Sequence, residues 1–167
     1  MNDSISKKDE DYQLWWLILH TRRAMHKARA RELFKYGVTA EEAAALFVID
    51  SVGYEVTPSE ISRWLGREPH SISELIRRME KKGLVSKNKD LERKNMVRVA
   101  MTEKGQEAFQ QSVKRESIYR IMSALSKKQC QQMAKCLEKL WDKALEEVGV
   151  SQKAPFPLPP PSKQRNK

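Results

Sequence analysis

The sequence predicts a mainly α fold with one small β-hairpin. Three observations predict it. Hydroxyl-capped helix starts recur along the chain, apolar residues return every third and fourth position, and only the stretch near residues 84–101 switches to alternation. Capping boxes stand at Thr39 with Glu42, Thr57 with Glu60 and Ser126 with Gln129. In each, the hydroxyl accepts from a first-turn N–H while the longer side chain reaches back to the cap residue.

The first helix is read from about Asp11 to Lys35, ended by Tyr36-Gly37. Its opening, Leu14-Trp15-Trp16-Leu17-Ile18-Leu19, is apolar all round. A second helix runs from about Ala40 to Val52 and stops at Gly53. The third covers Ser59 to Leu65, with Pro58 at the first helical position, where a missing N–H costs nothing, and Gly66 as its stop. Pro69 opens a fourth helix that continues to Lys82 and ends at Gly83. On it Ile72, Leu75, Ile76 and Met79 fall at i, i+3, i+4 and i+7, one apolar stripe.

After Gly83 the period becomes two. Leu84-Val85-Ser86-Lys87 and Val97 to Met101 read as short strands around the charged tip NKDLERKNM, a β-hairpin. Thr102 caps a helix expected from about Glu103 to Leu125. A last helix, Lys127 to about Val148, carries apolar residues at 130, 133, 137, 140, 144 and 148, widened by Ala134, Trp141 and Leu145. The end helices carry more apolar face than water tolerates. They are therefore expected to form a dimerisation domain, residues 11–36 and 103–149, around a lobe at 37–102; an internal helix pair is the alternative. Residues 1–10 read as a flexible N-terminus, and residues 150–167 as a proline-rich basic tail without a core to order it.

Charge narrows the partner. The chain carries a net +10 with a pI near 9.7, which suits a polyanion but does not by itself separate DNA from RNA or a membrane surface. Residues 67–98 hold ten bases against five acids, so this stretch alone supplies an excess of +5. Three helices followed by a hairpin is the winged helix-turn-helix layout, in which the second helix of the tight-turned pair enters the major groove. Such a helix needs short polar groups near its start to reach base edges, and His70, Ser71, Ser73 and Glu74 suit that task. Further along, Arg77 and Arg78 suit the flanking phosphates, as do Ser59, Arg63 and Lys81 beside them. At the hairpin tip, Lys89, Arg93 and Lys94 suit a narrow minor groove and its enhanced negative potential. A protein-interaction module on the same winged form is the competing reading, because fold does not dictate function.

The segment VTPSEISRWLG…SISELIRRMEKKGLVSKNKDLERKNMVRVAMTEKG resembles the MarR family of transcriptional regulators over about residues 56–105, and the flanking helices match that family's arrangement along residues 11–149. The resemblance implies a homodimer built from the first and last helices, bound to a palindromic operator of double-stranded DNA and, more often than not, a repressor released by a small aromatic ligand. Two departures stand out. The family often places a hydroxyl before its recognition helix, where this chain has Glu68-Pro69. The family's wing usually carries an Asp–Arg pair two residues apart, where DLERK offers Asp90 or Glu92 with Arg93 or Lys94. Arg93 is favoured for the minor groove because its planar fork hydrogen-bonds better than a lysine.

For a ligand, Trp15, Trp16, His20 and Met25 with Phe47 are candidates to line an aromatic-accepting cavity, although core or dimer contact is the better reading of most of them. Cys130 and Cys136 lie six residues apart on one helix, about 9 Å by helical rise, too far for one disulfide. They read as structural thiols, with a redox-sensing regulator as the alternative. His20, His26 and His70 are scattered and do not resemble a zinc site. No cofactor motif, phosphate loop or nucleophile–base pairing stands out, so catalysis is not expected. The longest apolar run, Leu14 to Leu19, is far short of the ~20 residues a bilayer span needs, and acids precede it where a secretory signal carries bases. A cytoplasmic protein is expected.

Overall fold

The computed structural model describes residues 6–53, 56–89, 96–150 and 154, the side chain of Lys89 excepted. Its elements are α1 (Lys7–Phe34), α2 (Ala40–Val52), α3 (Pro58–Leu65), α4 (Pro69–Lys81), β1 (Val85–Lys89), β2 (Val97–Met101), α5 (Glu103–Ser112), α6 (Glu116–Met122) and α7 (Lys127–Glu147). All three predicted capping boxes form, and a fourth joins Ser6 to Asp9, so α1 starts at Lys7 rather than near Asp11. The short acidic partner at Asp9 hid that box, since the signature usually carries Glu or Gln there.

The core belongs to the lobe. Ile72, Leu75, Ile76 and Met79 of α4 are all buried, against Ala45, Leu46, Val48 and Ile49 of α2, Ile61 of α3 and Phe109 of α5. Each of these side chains larger than alanine contributes roughly 1.5–3 kcal/mol relative to exposure. The hairpin β1–β2 is antiparallel in the register Val85↔Met101, Lys87↔Val99 and Lys89↔Val97, and Val99 N–H donates to the Val56 carbonyl at 2.9 Å. Gly105 explains the TEKG start of α5. A Cβ there would lie 1.9 Å from the Leu84 carbonyl oxygen, so only glycine lets α5 approach the base of the wing.

One expected helix is two. The run Glu103–Leu125 breaks at Arg115, whose φ of 52° and ψ of 34° put a non-glycine residue in the left-handed region. No Gly or Pro marks the break in the sequence. The break is paid for at long range: α6 has no side-chain cap of its own, and Glu32 of α1 accepts from the Glu116 N–H at 2.9 Å and the Ser117 N–H at 3.1 Å. The Ser117 hydroxyl donates to the same carboxylate. Burial alone would raise the Glu32 pKa, but the Ser117 hydrogen bonds and the Arg29 guanidinium outweigh it and bring it down to about 2. Arg29 Nη2 donates to the Ser112 carbonyl at 2.6 Å. Its Nη1 lies 2.9 Å from Glu32 Oε2, close enough for charge attraction yet misaligned for a hydrogen bond.

The ends of the chain are different in kind. No residue of α7 is buried, and Leu137, Leu140 and Trp141 stand exposed along it. Tyr12, Leu14, Trp15, Trp16 and Leu17 of α1 are exposed as well. No helix among the described residues is long and apolar enough to cross a membrane.

Candidate nucleic-acid interface

The tight turn between α3 and α4 is Gly66-Arg67-Glu68, with Gly66 left-handed at φ 59°. Glu68 occupies the cap position of α4 but makes no side-chain cap hydrogen bond, and Pro69 at the first position removes one orphan N–H that a cap would have had to satisfy. The first-turn donors of α4 therefore stay available to an outside acceptor.

The buried stripe of α4 leaves His70, Ser71, Ser73, Arg77 and Arg78 exposed and Glu74 half-buried. Ser59 and Arg63 on α3 and Lys81 at the end of α4 are exposed too. These side chains are not equally free. Ser73 Oγ donates back to the Pro69 carbonyl at 3.0 Å. Arg77 pairs with Glu74 at 2.7 Å, which lowers the carboxyl pKa and raises that of the guanidinium. Arg78 lies 3.8 Å from Glu41 at the start of α2, a carboxylate that also holds Arg67 at 2.9 Å. Lys82 pairs with buried Glu42 at 2.9 Å and so fastens the end of α4 to the start of α2. Sequence reasoning missed the Glu41 and Glu42 clasps, because partners 26 to 40 residues apart leave no local pattern.

Arg93 and Lys94, with the side chain of Lys89, lie outside the described residues, as do Asp90 and Glu92. At the base of the wing Lys87 pairs with Glu80 at 2.8 Å.

The aromatic candidates divide into two places. Trp15, Trp16 and His20 lie on the exposed part of α1, where Trp16 stacks on His20 at 5.5 Å between ring centroids and meets Tyr12 edge-on at 6.2 Å. Phe47 lies apart from them, beneath the Arg115 guanidinium at 5.6 Å, on a cavity of about 120 Å³ that Arg29, Leu33 and Val113 help to line. Met25 is half-buried on α1 and lines neither. A larger cleft, about 600 Å³, runs between α1, α2 and α4, with Arg22, His26, Glu41, Arg67, His70 and Arg78 on its walls. Cys130 is half-buried and Cys136 exposed. Among the described residues no group of three or more His, Cys, Asp or Glu is placed to hold a metal ion.

Comparison with known proteins agrees with this geometry. A model of the winged helix DNA-binding domain matches residues 38–105, from the end of the first turn through the start of α5. No curated protein matches the chain in sequence. Among solved structures, the organohalide-sensing transcriptional regulator RdhR in its ligand-free form shares 28% identity over 95% of this chain and 96% of its own, with a TM-score of 0.79. Its 2,4-dichlorophenol-bound form shares 29% over 87% and 89%, at 0.75. A mutant MarR from E. coli complexed with operator DNA has the same fold at 20% identity, over 81% of this chain and 98% of its own, at 0.71. The matched lobe is a winged helix, and the chain as a whole has the fold of these transcriptional regulators.

Proposed function

We propose that the protein is a homodimeric repressor that binds a palindromic operator in double-stranded DNA and lets go of it when a small, aromatic ligand binds. The observation that carries the DNA part is the outer face of α4, where polar residues stand opposite a fully buried stripe on a helix with an uncapped start. In this reading His70, Ser71, Ser73 and Glu74 meet base edges, while Arg77 and Arg78 meet phosphates beside them. Ser59, Arg63 and Lys81 add backbone contacts, and Lys89, Arg93 and Lys94 enter the minor groove.

The ligand part is supported by the neighbours: one structure holds RdhR with 2,4-dichlorophenol, and another holds CouR from Rhodococcus jostii RHA1 with p-coumaroyl-CoA. In this chain Phe47 offers an aromatic wall within reach of two arginines, and Trp15, Trp16, His20 and Met25 lie on the helix that a second copy would cover. Footprinting tests the proposal. Protection should cover a pseudo-palindrome whose half-site centres lie about 10 bp apart. Arg78→Ala and Arg93→Ala should weaken binding on all sequences and flatten its salt dependence. No preference over random DNA at about 0.15 M salt would instead favour a protein partner for α4.

A further inference from the structure

The cleft between α1, α2 and α4 has one wall that the DNA contacts above leave unused. Ser71, Glu74 and Arg78 fall at i, i+3 and i+7 on α4, so they form the side of that helix that borders this cleft of about 600 Å³. The facing wall is α1. It brings Arg22 and His26, four residues apart and therefore one above the other on the same helix face. Both are exposed, and neither makes a hydrogen bond or ion pair among the described residues.

The acids of the cleft are already engaged. Glu41 holds Arg67 at 2.9 Å and lies 3.8 Å from Arg78, while Glu74 turns to Arg77 at 2.7 Å. Arg22 thus adds a positive charge that no acid among the described residues pairs with. Both α2 and α4 also begin beside the cleft, and the N-terminal end of a helix carries partial positive charge. Small-molecule pockets are lined mainly by apolar side chains with few polar groups. Here arginine, histidine and glutamate side chains from α1, α2 and α4 line the space, which suits an extended, solvated anion better than an apolar guest.

A helix set into the major groove has a sugar–phosphate strand running along its side. From this juxtaposition we infer that α1 is part of the DNA interface: the strand on the Ser71 and Arg78 side of α4 lies along the cleft, where Arg22 pairs with a phosphate and His26 donates a hydrogen bond to the same strand. The inference rests on the DNA-binding reading above and adds α1 to it. These contacts contribute affinity without base preference, because phosphates carry no sequence information.

The test measures binding of the full chain and of single variants to the footprinted site and to a random-sequence duplex of about three helical turns, by fluorescence anisotropy from about 50 to about 200 mM salt. Arg22→Gln removes one phosphate contact per seated lobe, about 0.9 in the slope of log K against log salt. The rise in salt should then weaken the native chain about 3.5-fold more than the variant with one lobe seated, and about 12-fold more with two. Arg22→Lys should restore the slope, because lysine also displaces a counterion. Arg23→Gln, one position round the helix and off the cleft wall, should leave the slope unchanged. His26→Ala should weaken binding about 2- to 10-fold on both duplexes. Preference for the site over random DNA should be the same in every variant. A slope unchanged in Arg22→Gln, an equal change in Arg23→Gln, or native affinity in His26→Ala overturns the inference and leaves the cleft to a small anion. Should footprinting of the native chain find no site, the DNA-binding reading has itself failed, and this inference falls with it.

Discussion

Replacing Glu32 by alanine removes the cap of a helix eighty-four residues away. The carboxylate is 5% exposed and serves two backbone donors of α6, the Ser117 hydroxyl and the Arg29 charge. Its loss orphans both N–H groups and leaves a largely buried guanidinium without its counter-charge, a defect that costs about 3–5 kcal/mol. Glu32→Gln keeps an acceptor and the volume but not the charge, and should cost about 1.5–3 kcal/mol. The pH dependence separates charge from shape. The folded pKa of about 2 lies below the unfolded value of 4.5, so the unfolded chain takes up the proton first as pH falls. The stabilisation is whole above pH ~4.5, amounts to about 3 kcal/mol, and is lost towards pH 2, with about 2 kcal/mol gone by pH 3. Urea denaturation of the native chain and Glu32→Gln at pH 7 and pH 3 measures this. A gap between them that is equal at both pH values refutes the argument, as does an alanine variant weaker by under ~1 kcal/mol.

The acids on the reading face give sharper expectations of DNA binding. Glu74→Ala should relax base preference at one or two pairs, by about 1–3 kcal/mol on the operator, while binding to random DNA tightens as Arg77 is released; competition assays with point-substituted operators read both changes. Glu41→Gln frees Arg67 and Arg78 from half-exposed pairs worth about 0.2–1 kcal/mol, so binding to every sequence should tighten by up to about fivefold. A weakening there would mean that Glu41 positions α4 instead of competing for its cations.

What the sequence could show was decided by range. Local chemistry was legible: the capping boxes, the stripe Ile72–Met79, the hairpin and the turn at Gly66 all rest on residues within a few positions of each other. The break at Arg115 was not, because its compensation comes from Glu32, and no residue near Arg115 disfavours a continuous helix. Sequence separation, although shorter, also hid the clasps on Glu41 and Glu42. On the candidate interface, periodicity fixed which α4 residues face outward, but not that Ser73, Arg77 and Arg78 already have partners. The outward face is a matter of backbone geometry; partner choice is a matter of tertiary packing.

The exposed helices make a last prediction unavoidable. In globular proteins most helical stability comes from packing an apolar face, and α7 has such a face along its 21 residues. Within this chain α7 buries none of its residues, and Leu137, Leu140 and Trp141 add to the exposed side chains of Tyr12, Leu14, Trp15 and Leu17 on α1. A monomer seldom exposes an apolar patch beyond about 300–600 Å² without a partner for it. If a second copy covers these faces, folding of α7 and dimerisation are one equilibrium, and each tenfold rise in protein concentration stabilises the dimer by about 1.4 kcal/mol. Thermal melts at several concentrations should shift upward accordingly. The Leu137→Glu, Leu140→Glu double variant should sediment as a monomer, lose helical ellipticity and lose operator affinity, since one lobe alone reads only half of a palindrome. A concentration-independent melt together with a monomeric native chain would show that α7 stands without a partner, and any DNA site would have to be read one lobe at a time.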